Sequence, residues 1–280
     1  MHIPARLAAL AAAFLFVSAP LHAQTTKPYE PQVGQAGKDV IWVPTPDEVV
    51  ARMLTMAQVG PNDIHYDLGA GDGKIAIAAA KRGAKATGIE YNPDMAKFAN
   101  ANAEKQGVAG VGFGKAIIRQ ADIFATNFSD ATVITLYLLP QLNLKLRPTI
   151  LQMKPGTRVV SHSFTMDDWE PDEVSSMDGR RAYFWMVPAA VHGGWAMDSG
   201  GDKLELVFEQ RFQKIEGSIG LGHAQGGLRD PLLHGSAISF TFVGNDGVKR
   251  DYAGKVNGSR MEGTFKADNG TEGRWSATKK

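Results

Sequence analysis

A chain of 280 residues, 44% of them hydrophobic and 21% charged, is long enough to build two modest hydrophobic cores. Its formal net charge of +1, with no run of Lys or Arg, argues against electrostatic binding to nucleic acid, so no nucleic-acid partner is expected. The chain has no cysteine, which excludes disulfides, thiolate nucleophiles and Cys-ligated zinc, and its scattered histidines predict no metal site.

The N-terminus has the pattern of a secretory signal peptide over residues 1–23. Arg6 precedes an apolar run over residues 7–17, and the small residues around Ala23 suit cleavage before Gln24. The run is shorter than the ~20 residues that a membrane span needs, so no stable membrane span is expected. The mature protein is therefore predicted to be periplasmic or secreted, with an uncleaved anchor or a mitochondrial presequence as the alternatives.

The segment after the predicted cleavage site is expected to lack fixed structure. Residues 24–38 are polar and rich in Pro, Gly and Gln, which predicts a flexible leader. Folded structure is expected from residue 39 onward. Thr45 is predicted to cap the first helix, with Pro46 at its first position and Glu48 at the capping-box spacing.

The stretch from Ile64 to Glu90 predicts a βαβ unit. A short strand leads into the loop Asp67-Leu68-Gly69-Ala70-Gly71-Asp72-Gly73, an alanine-rich helix follows, and a second strand ends at Glu90. Two parallel strands need such a helical crossover to pair. The loop departs from the Gly-x-Gly-x-x-Gly pattern of dinucleotide folds, because Lys74 occupies the third glycine position. Asp67 would also repel a pyrophosphate.

This loop suits a ligand with a cationic centre and a free amino group. S-adenosylmethionine (SAM) has a sulfonium, an α-amino group and a carboxylate, and it has no phosphate. Glycines let the backbone approach such a ligand without a Cβ clash, and amides near Lys74 can face its carboxylate. Glu90 stands about 20 residues beyond the loop, where the equivalent acid of nucleotide-binding βαβ units accepts the ribose hydroxyls.

The loop resembles motif I of the class I SAM-dependent methyltransferases, and Glu90 resembles their ribose-binding acid. The resemblance implies SAM as the cofactor and a cofactor-binding set of Asp67, Gly69, Ala70, Gly71, Gly73, Glu90 and Asp122. Asp122 follows the third predicted strand, where these methyltransferases contact the adenine amino group. Alternatively, Asp122 caps the next turn.

Strands and helices alternate up to about residue 190. After a helix that Asn92 caps and Pro93 begins, strands are predicted over residues 115–120, 131–137, 158–161 and 182–187, with a helix over residues 141–153 interrupted at Pro148. A seventh strand is expected near the boundary at residue 190. This alternation predicts an α/β fold with a doubly wound, Rossmann-like methyltransferase sheet over residues 39–190.

Residues 191–280 have a different character. Short alternating runs replace the helical patterns, and Asn-Gly pairs at residues 257–258 and 269–270 stand between them. Asn-Gly between alternating runs is a strong hairpin signal. The pattern predicts a small antiparallel all-β module, a lipocalin-like barrel or sandwich, for which an apolar ligand is a candidate partner.

Two further motifs indicate the methyl acceptor. Trp42-Val43-Pro44-Thr45-Pro46 and Leu136-Tyr137-Leu138-Leu139-Pro140 resemble the small protein-lysine methyltransferases of mitochondria and their bacterial relatives. The resemblance covers residues 41–188 and implies methyl transfer from SAM to a protein side chain, lysine being one candidate, or to a small molecule. No Asn-Pro-Pro-Tyr-like motif follows the fourth strand, which disfavours nucleobase methylation.

These motifs also supply candidates for the acceptor side. Tyr137 is the candidate catalytic residue, lining the acceptor channel, with Pro44 and Thr45 closing over the cofactor. Ordinary packing at a sheet edge is an equally weighted alternative for Tyr137 and Pro44. His162, after the fifth strand, is either a base or, as the favoured interpretation, a hydrogen-bonded loop histidine.

Two other classes of function are compatible with the chain. One is an exported binding protein with a catalytically idle Rossmann-like domain and a ligand-binding β module. The other is an NAD-dependent oxidoreductase, which Lys74 disfavours. Because Asp67 and Glu90 are both present and an idle site needs neither, the methyltransferase is the leading hypothesis.

If the signal peptide is cleaved as expected, protein recovered outside the cytoplasm begins at Gln24, and N-terminal sequencing checks this. The variant Ala23→Arg removes the small residue before the cut and is expected to keep the longer chain. Exported wild-type protein that still begins at Met1 would contradict the predicted localisation.

Overall fold

The computed structural model describes residues 29–221 and 224–280. The predicted signal peptide lies outside these residues, together with the first part of the predicted leader. No helix in the described ranges combines the length and the apolar character that a membrane span requires.

The described residues form four helices and sixteen strands. The helices are α1 (Asp47–Met56), α2 (Lys74–Lys81), α3 (Pro93–Lys105) and α4 (Pro140–Leu151). The strands of the first half are β1 (Ile64–Leu68), β2 (Lys85–Glu90), β3 (Lys115–Gln120), β4 (Val133–Leu136), β5 (Arg158–His162), β6 (Glu173–Met177) and β7 (Arg180–Met186). The strands of the second half are β8 (Gly193–Ser199), β9 (Asp202–Arg211), β10 (Lys214–Leu221), β11 (Ala224–Gly227), β12 (Arg229–His234), β13 (Ala237–Val243), β14 (Lys249–Asn257), β15 (Arg260–Ala267) and β16 (Glu272–Lys279).

The first seven strands form one sheet in the order β3-β2-β1-β4-β5-β7-β6. Strands β1 to β5 pair in parallel, whereas β7 runs antiparallel to both of its neighbours. Helices α2, α3 and α4 form the crossovers that parallel pairing requires. The predicted doubly wound, Rossmann-like sheet is confirmed.

Apolar side chains cover both faces of this sheet. On one face, α1 and α2 pack Met53, Leu54 and Ile77 against the strands. On the other face, α4 packs Leu146 and Ile150 in a cluster that includes two buried tryptophans of the later strands and loops. All four residues of β4 are buried, as expected for a strand covered on both sides.

The seventh strand of the sheet lies elsewhere than the sequence predicts. The prediction places it near residue 190, but the structure has β6 before β7, at the outer edge of the sheet. Most of β6 is exposed or half-buried, so it lacks the apolar run by which a buried strand is recognised. Arg52 of α1 holds it from one side, donating to Glu173 Oε1 at 2.8 Å.

Two helix predictions are also wrong in detail. Pro46, not Thr45, is the N-cap of α1, and the Thr45 hydroxyl faces His162 instead. Helix α4 continues through Pro148 without interruption. A proline inside a helix removes one backbone hydrogen bond, and here the burial of Leu146 and Ile150 on either side of it favours the continuous helix.

The remaining nine strands form an antiparallel sheet that is nearly closed. Their order is β11-β10-β9-β8-β16-β15-β14-β13-β12, so the strands follow one another along the chain and the last pairs with the first. At the remaining gap, Leu228 lies between β11 and β12 and donates its backbone N–H to Gly217 O of β10 at 2.8 Å. The prediction of a small antiparallel β module is confirmed, in the barrel form.

The interior of the barrel is filled by its own side chains. Trp195, Phe208, Phe240, Tyr252 and Trp275 are at most 2% exposed and pack on one another. Phe240 stacks on Tyr252 with ring centroids 4.9 Å apart. Such a core stabilises the barrel by burying aromatic area. An apolar ligand for the module stays a prediction.

Residues 29–45 form what we call the N-terminal strap, which crosses the carboxyl-end edge of the first sheet. Part of this strap falls in the predicted flexible leader, which is wrong for residues 29–38. There, Gly34 N donates to Trp42 O at 2.8 Å and Trp42 N to Gln35 O at 2.9 Å. Tyr29 packs edge-on against Phe98 of α3 with ring centroids 6.2 Å apart. These tertiary contacts order a segment whose composition alone suggests disorder.

Candidate active site

A cavity of about 330 Å³ lies at the carboxyl ends of the parallel strands. This is the edge at which open α/β sheets bind their ligands. Its walls are residues 35–45 of the strap, Asp67, residues 69–72, Lys74, Ile75, residues 89–92, Met95, residues 121–123, residues 137–139, Leu142 and Phe164. The cavity therefore brings together most of the site residues that the sequence predicts.

The glycine loop between β1 and α2 forms the floor of the cavity. Gly69, Gly71 and Gly73 have φ of +83°, +52° and +80°, a backbone region that L side chains rarely adopt. A Cβ on Gly69 would come within 2.8 Å of Leu138, and one on Gly71 within 2.6 Å of Trp42 Nε1. Glycine is therefore required both by the backbone conformation and by the close approach of the cavity walls.

Glu90 anchors this loop at the end of β2. Its Oε2 accepts from Gly71 N and its Oε1 from Asn92 N, both at 2.9 Å. The carboxylate thereby joins the glycine loop to the start of α3 and lines the cavity. It is only half-buried, so its remaining lone pairs are available to hydroxyl donors of a ligand.

Asp67 is buried beneath the loop and is 2% exposed. Its Oδ1 accepts from Thr135 Oγ1 on the adjacent strand at 2.8 Å, and His65 Nε2 lies 2.9 Å from the same hydroxyl. Because a hydroxyl has one hydrogen, and Thr135 donates it to Asp67, His65 must donate its Nε2–H to Thr135. The three side chains thus form a directed chain of hydrogen bonds that fixes the Asp67 carboxylate.

The second oxygen of this carboxylate, Asp67 Oδ2, has no hydrogen-bond partner among the described residues. Burial raises the pKa of Asp67 to about 7, with smaller contributions from the nearby Asp72 and Glu90 carboxylates. A cationic group beside Oδ2 would satisfy this oxygen and stabilise the charged form. The site is therefore built for a positive partner at this point.

Asp122 lies at the cavity wall after β3. Its Oδ1 accepts from Phe124 N at 2.8 Å, so it does cap the next turn, the alternative that the sequence leaves open. Its Oδ2 accepts from Lys38 Nζ of the strap at 2.7 Å, and this ion pair lowers the pKa of Asp122. Contact with an adenine amino group stays a prediction for Asp122.

Aromatic side chains form the wall at the ends of β4 and β5. Tyr137 lines the cavity and packs on His162, with ring centroids 4.0 Å apart, and on Phe164 at 6.3 Å. His162 is 2% exposed, its Nδ1 lies 3.2 Å from Thr45 Oγ1, and its Nε2 has no partner among the described residues. Burial, reinforced by Arg180, lowers the pKa of His162 to about 4, so the ring is neutral at physiological pH.

The geometry of this chain fits SAM. The unpartnered Asp67 Oδ2 suits the α-amino group, Glu90 suits the ribose hydroxyls, and the glycine loop leaves the close backbone approach that such a ligand needs. Among the described residues, no group of three or more His, Cys, Asp or Glu side chains is placed to hold a metal ion.

Sequence reasoning missed several residues of this site. His65 and Thr135 support Asp67 from below, and Lys38 and Phe164 stand in the cavity wall. Thr135 lies directly opposite Asp67 in the β1–β4 pairing. That pairing joins residues 68 positions apart, so no local pattern indicates it.

Comparison with known proteins agrees with the geometry. The family model described as the ANTKMT methyltransferase domain matches residues 67–173, which stops short of the barrel. A protein-lysine N-methyltransferase of Saccharolobus islandicus is 46% identical over 142 residues, which cover 50% of this chain and 86% of that protein. A human lysine N-methyltransferase named for ATP synthase is 29% identical over 135 residues, and the match covers 48% of this chain and 56% of the human protein.

A solved structure gives the same result. The crystal structure of an RNA methyltransferase from Salinibacter ruber, in complex with S-adenosyl-L-homocysteine, has a TM-score of 0.51 and 48% sequence identity, covering 53% of this chain and 96% of that one. The fold and the site thus define a class I SAM-dependent methyltransferase, whose cofactor is SAM. Within that class, the chain belongs to the family that includes the Saccharolobus protein-lysine N-methyltransferase.

Replacing the buried acid by its neutral isostere tests the electrostatics of the site. A raised pKa in the fold means that Asp67 favours folding while it is protonated, and that this contribution is lost as pH rises from about 4 to about 7. Asp67→Asn is therefore expected to melt at a higher temperature than the wild type at pH 8, with the difference shrinking toward pH 5.

The same variant is expected to bind SAM at least about tenfold more weakly at pH 8, since it lacks the charge that faces the ammonium. Scanning calorimetry and titration calorimetry measure the two effects. An Asp67→Asn protein that is less stable at pH 8, or that binds SAM as the wild type does, would contradict this account of Asp67.

Titration calorimetry of the mature chain with SAM and S-adenosylhomocysteine tests the second acid. Wild-type binding in the micromolar range is expected, and Glu90→Ala should abolish it, because Glu90 holds the loop as well as facing the ribose. Glu104→Ala, on the distal part of α3, is the matched control and should bind as the wild type. No binding by the wild type would favour the idle-domain alternative.

Proposed function

We propose that this methyltransferase transfers the methyl group of SAM to the Nζ of a lysine side chain in a protein. The observation that carries the proposal is the aromatic wall of Tyr137 and Phe164 beside the cofactor cavity, with a neutral His162 behind it. The names of the Saccharolobus and human relatives, both lysine methyltransferases, support the same acceptor. Because the chain spans little more than half of the human relative, its substrate is inferred and not transferred from that protein.

SAM supplies a methyl group carried on a positively charged sulfur. The chain's own residues must hold the acceptor amine in line, unprotonated and shielded from water. An apolar aromatic wall lowers the pKa of a lysine that enters it, which favours the neutral amine with a free lone pair. With a pKa of about 4, His162 is too weak a base to take a proton from an ammonium group, so the proton leaves before the amine is enclosed.

Residues of the strap complete this enclosure. Pro44 and Thr45 line the cavity, and the contact from Thr45 Oγ1 to His162 Nδ1 joins the strap to the end of β5. The indole of Trp42 lies against the glycine loop. Together these groups exclude water from the side of the cavity that faces the acceptor. We further infer, from the N-terminal sequence pattern alone, that the enzyme works outside the cytoplasm.

The acceptor is identified by following the label from methyl-tritiated SAM. Extracted protein treated with ribonuclease, and total RNA treated with protease, are incubated separately with the enzyme. We expect label only in the protein and, after acid hydrolysis, only in methylated lysine. Prior acetylation of the lysines should abolish the signal, since an amide nitrogen lacks the nucleophilic lone pair. Label in nucleosides, in methylarginine or in small molecules would refute the lysine assignment.

A further inference from the structure

The barrel contacts the methyltransferase domain through the turn of one hairpin. The turn is Phe212 and Gln213, between β9 and β10. Phe212 stacks on Trp169 with ring centroids 6.0 Å apart and an interplanar angle of 24°. Trp169 donates its Nε1–H to Gln213 Oε1 at 3.0 Å and is itself completely buried. Trp169 belongs to residues 163–172, the segment between β5 and β6 that we call the acceptor loop.

Gln213 also bonds the acceptor loop through its amide nitrogen. Its Nε2 donates to Glu170 O at 2.7 Å and to Asp172 Oδ1 at 3.0 Å. Two ion pairs flank the turn, Arg211 with Asp168 and Lys214 with Glu170. Exposed ion pairs stabilise little, so we assign the holding of the loop to the stacked ring and to the three bonds of Gln213.

The turn violates the local preference of a hairpin. Phe212 has φ of +55°, and a two-residue turn with positive φ at its first position favours glycine there. A bulky residue in this conformation is disfavoured by its own backbone. Such an outlier persists where the surrounding contacts determine it, and here the contact is the stack on Trp169.

Helix α4 holds the acceptor loop from the opposite side. Arg147 donates from Nη1 to Met166 O at 2.8 Å, and its guanidinium lies 5.5 Å from the centre of the Phe212 ring. Asn143, which is fully buried, donates to Thr165 O at 3.2 Å. The loop is therefore fixed between a helix of one domain and a hairpin of the other.

The loop begins in the active site. Phe164 lines the cofactor cavity and stacks on Tyr137 with an interplanar angle of 22°. A continuous set of contacts thus runs from Phe212 through Trp169 and the loop to Phe164 and Tyr137. Contiguous packing of this kind can couple a distant residue to a site, but coupling has to be measured.

We propose that the barrel is a positioning element for the acceptor side of the active site, and that Phe212 and Gln213 hold the acceptor loop so that Phe164 and Tyr137 form the acceptor wall. The proposal rests on the proposed function only in assigning this wall to the acceptor. It gives the second domain a role that needs no ligand of its own.

Phe212→Gly tests the proposal without endangering the hairpin, because glycine accepts the positive φ and removes only the ring. Hydrogen–deuterium exchange of the full chain is expected to show amides 164–169 exchanging about tenfold faster, with amides 67–73 unchanged. Gln213→Ala, which keeps the turn backbone, should give a smaller change in the same direction. Asp230→Gly is the matched control, an exposed barrel residue with φ of +47°, and should leave the acceptor loop unchanged.

Kinetics then separate positioning from stability. Phe212→Gly is expected to lower kcat/KM for the acceptor about tenfold while the Kd for SAM stays within about threefold of the wild type. Unchanged exchange in the acceptor loop would overturn the proposal, as would a parallel loss of SAM binding. The exchange experiment needs no acceptor, so a wrong lysine assignment and a wrong role for the barrel give different results.

Discussion

A carboxylate buried at the end of the central strand is the constraint on which the rest of the site depends. Asp67 is removed from water in the middle of the first sheet, where an unpaired charge is costly. The chain compensates one oxygen through Thr135 and His65 and leaves the other without a partner among the described residues. This asymmetry holds the carboxylate in one orientation and keeps one oxygen for a cation. An amino-acid ligand such as SAM supplies that cation, so the cost of burial in the free protein becomes selectivity for the cofactor.

The glycine loop and the strap follow from the same requirement. For the ligand's ammonium to reach a buried oxygen, the backbone above it must carry no side chains, and Gly69 and Gly71 meet this need. A bare backbone is open to water, which would weaken the electrostatic interaction. Trp42 and Lys38 of the strap cover that side, the first against Gly71 and the second on Asp122. The segment that composition marks as disordered is thus the cover of the site.

Local patterns predicted the parts of the fold that local chemistry determines. The motif from Asp67 to Gly73, the cap at Asn92 and the Asn-Gly turns all impose their conformation within a few residues, and the structure has them as predicted. The exposed edge strand β6 carries no apolar alternation, so it could not be recognised. The support of Asp67 by Thr135 depends on how β1 pairs with β4, which a single sequence does not reveal. The order of the strap depends in the same way on contacts with α3 and with the residues that follow β3.

The turn at Phe212 shows how a failure of local rules can be informative. Every local preference favours glycine or asparagine where Phe212 stands, so the sequence around it reads poorly as a hairpin. Natural sequences agree with their fold at most positions and break local rules chiefly where function or tertiary contact demands it. Here the demand is visible, because the ring that strains the turn is the ring that packs on Trp169. The same reasoning distinguishes this hairpin from the Asn-Gly turns of the barrel, which obey the local rule and need no partner beyond their own strands. A barrel that had been attached only as a separate module would have no need of a strained contact at its junction with the catalytic domain.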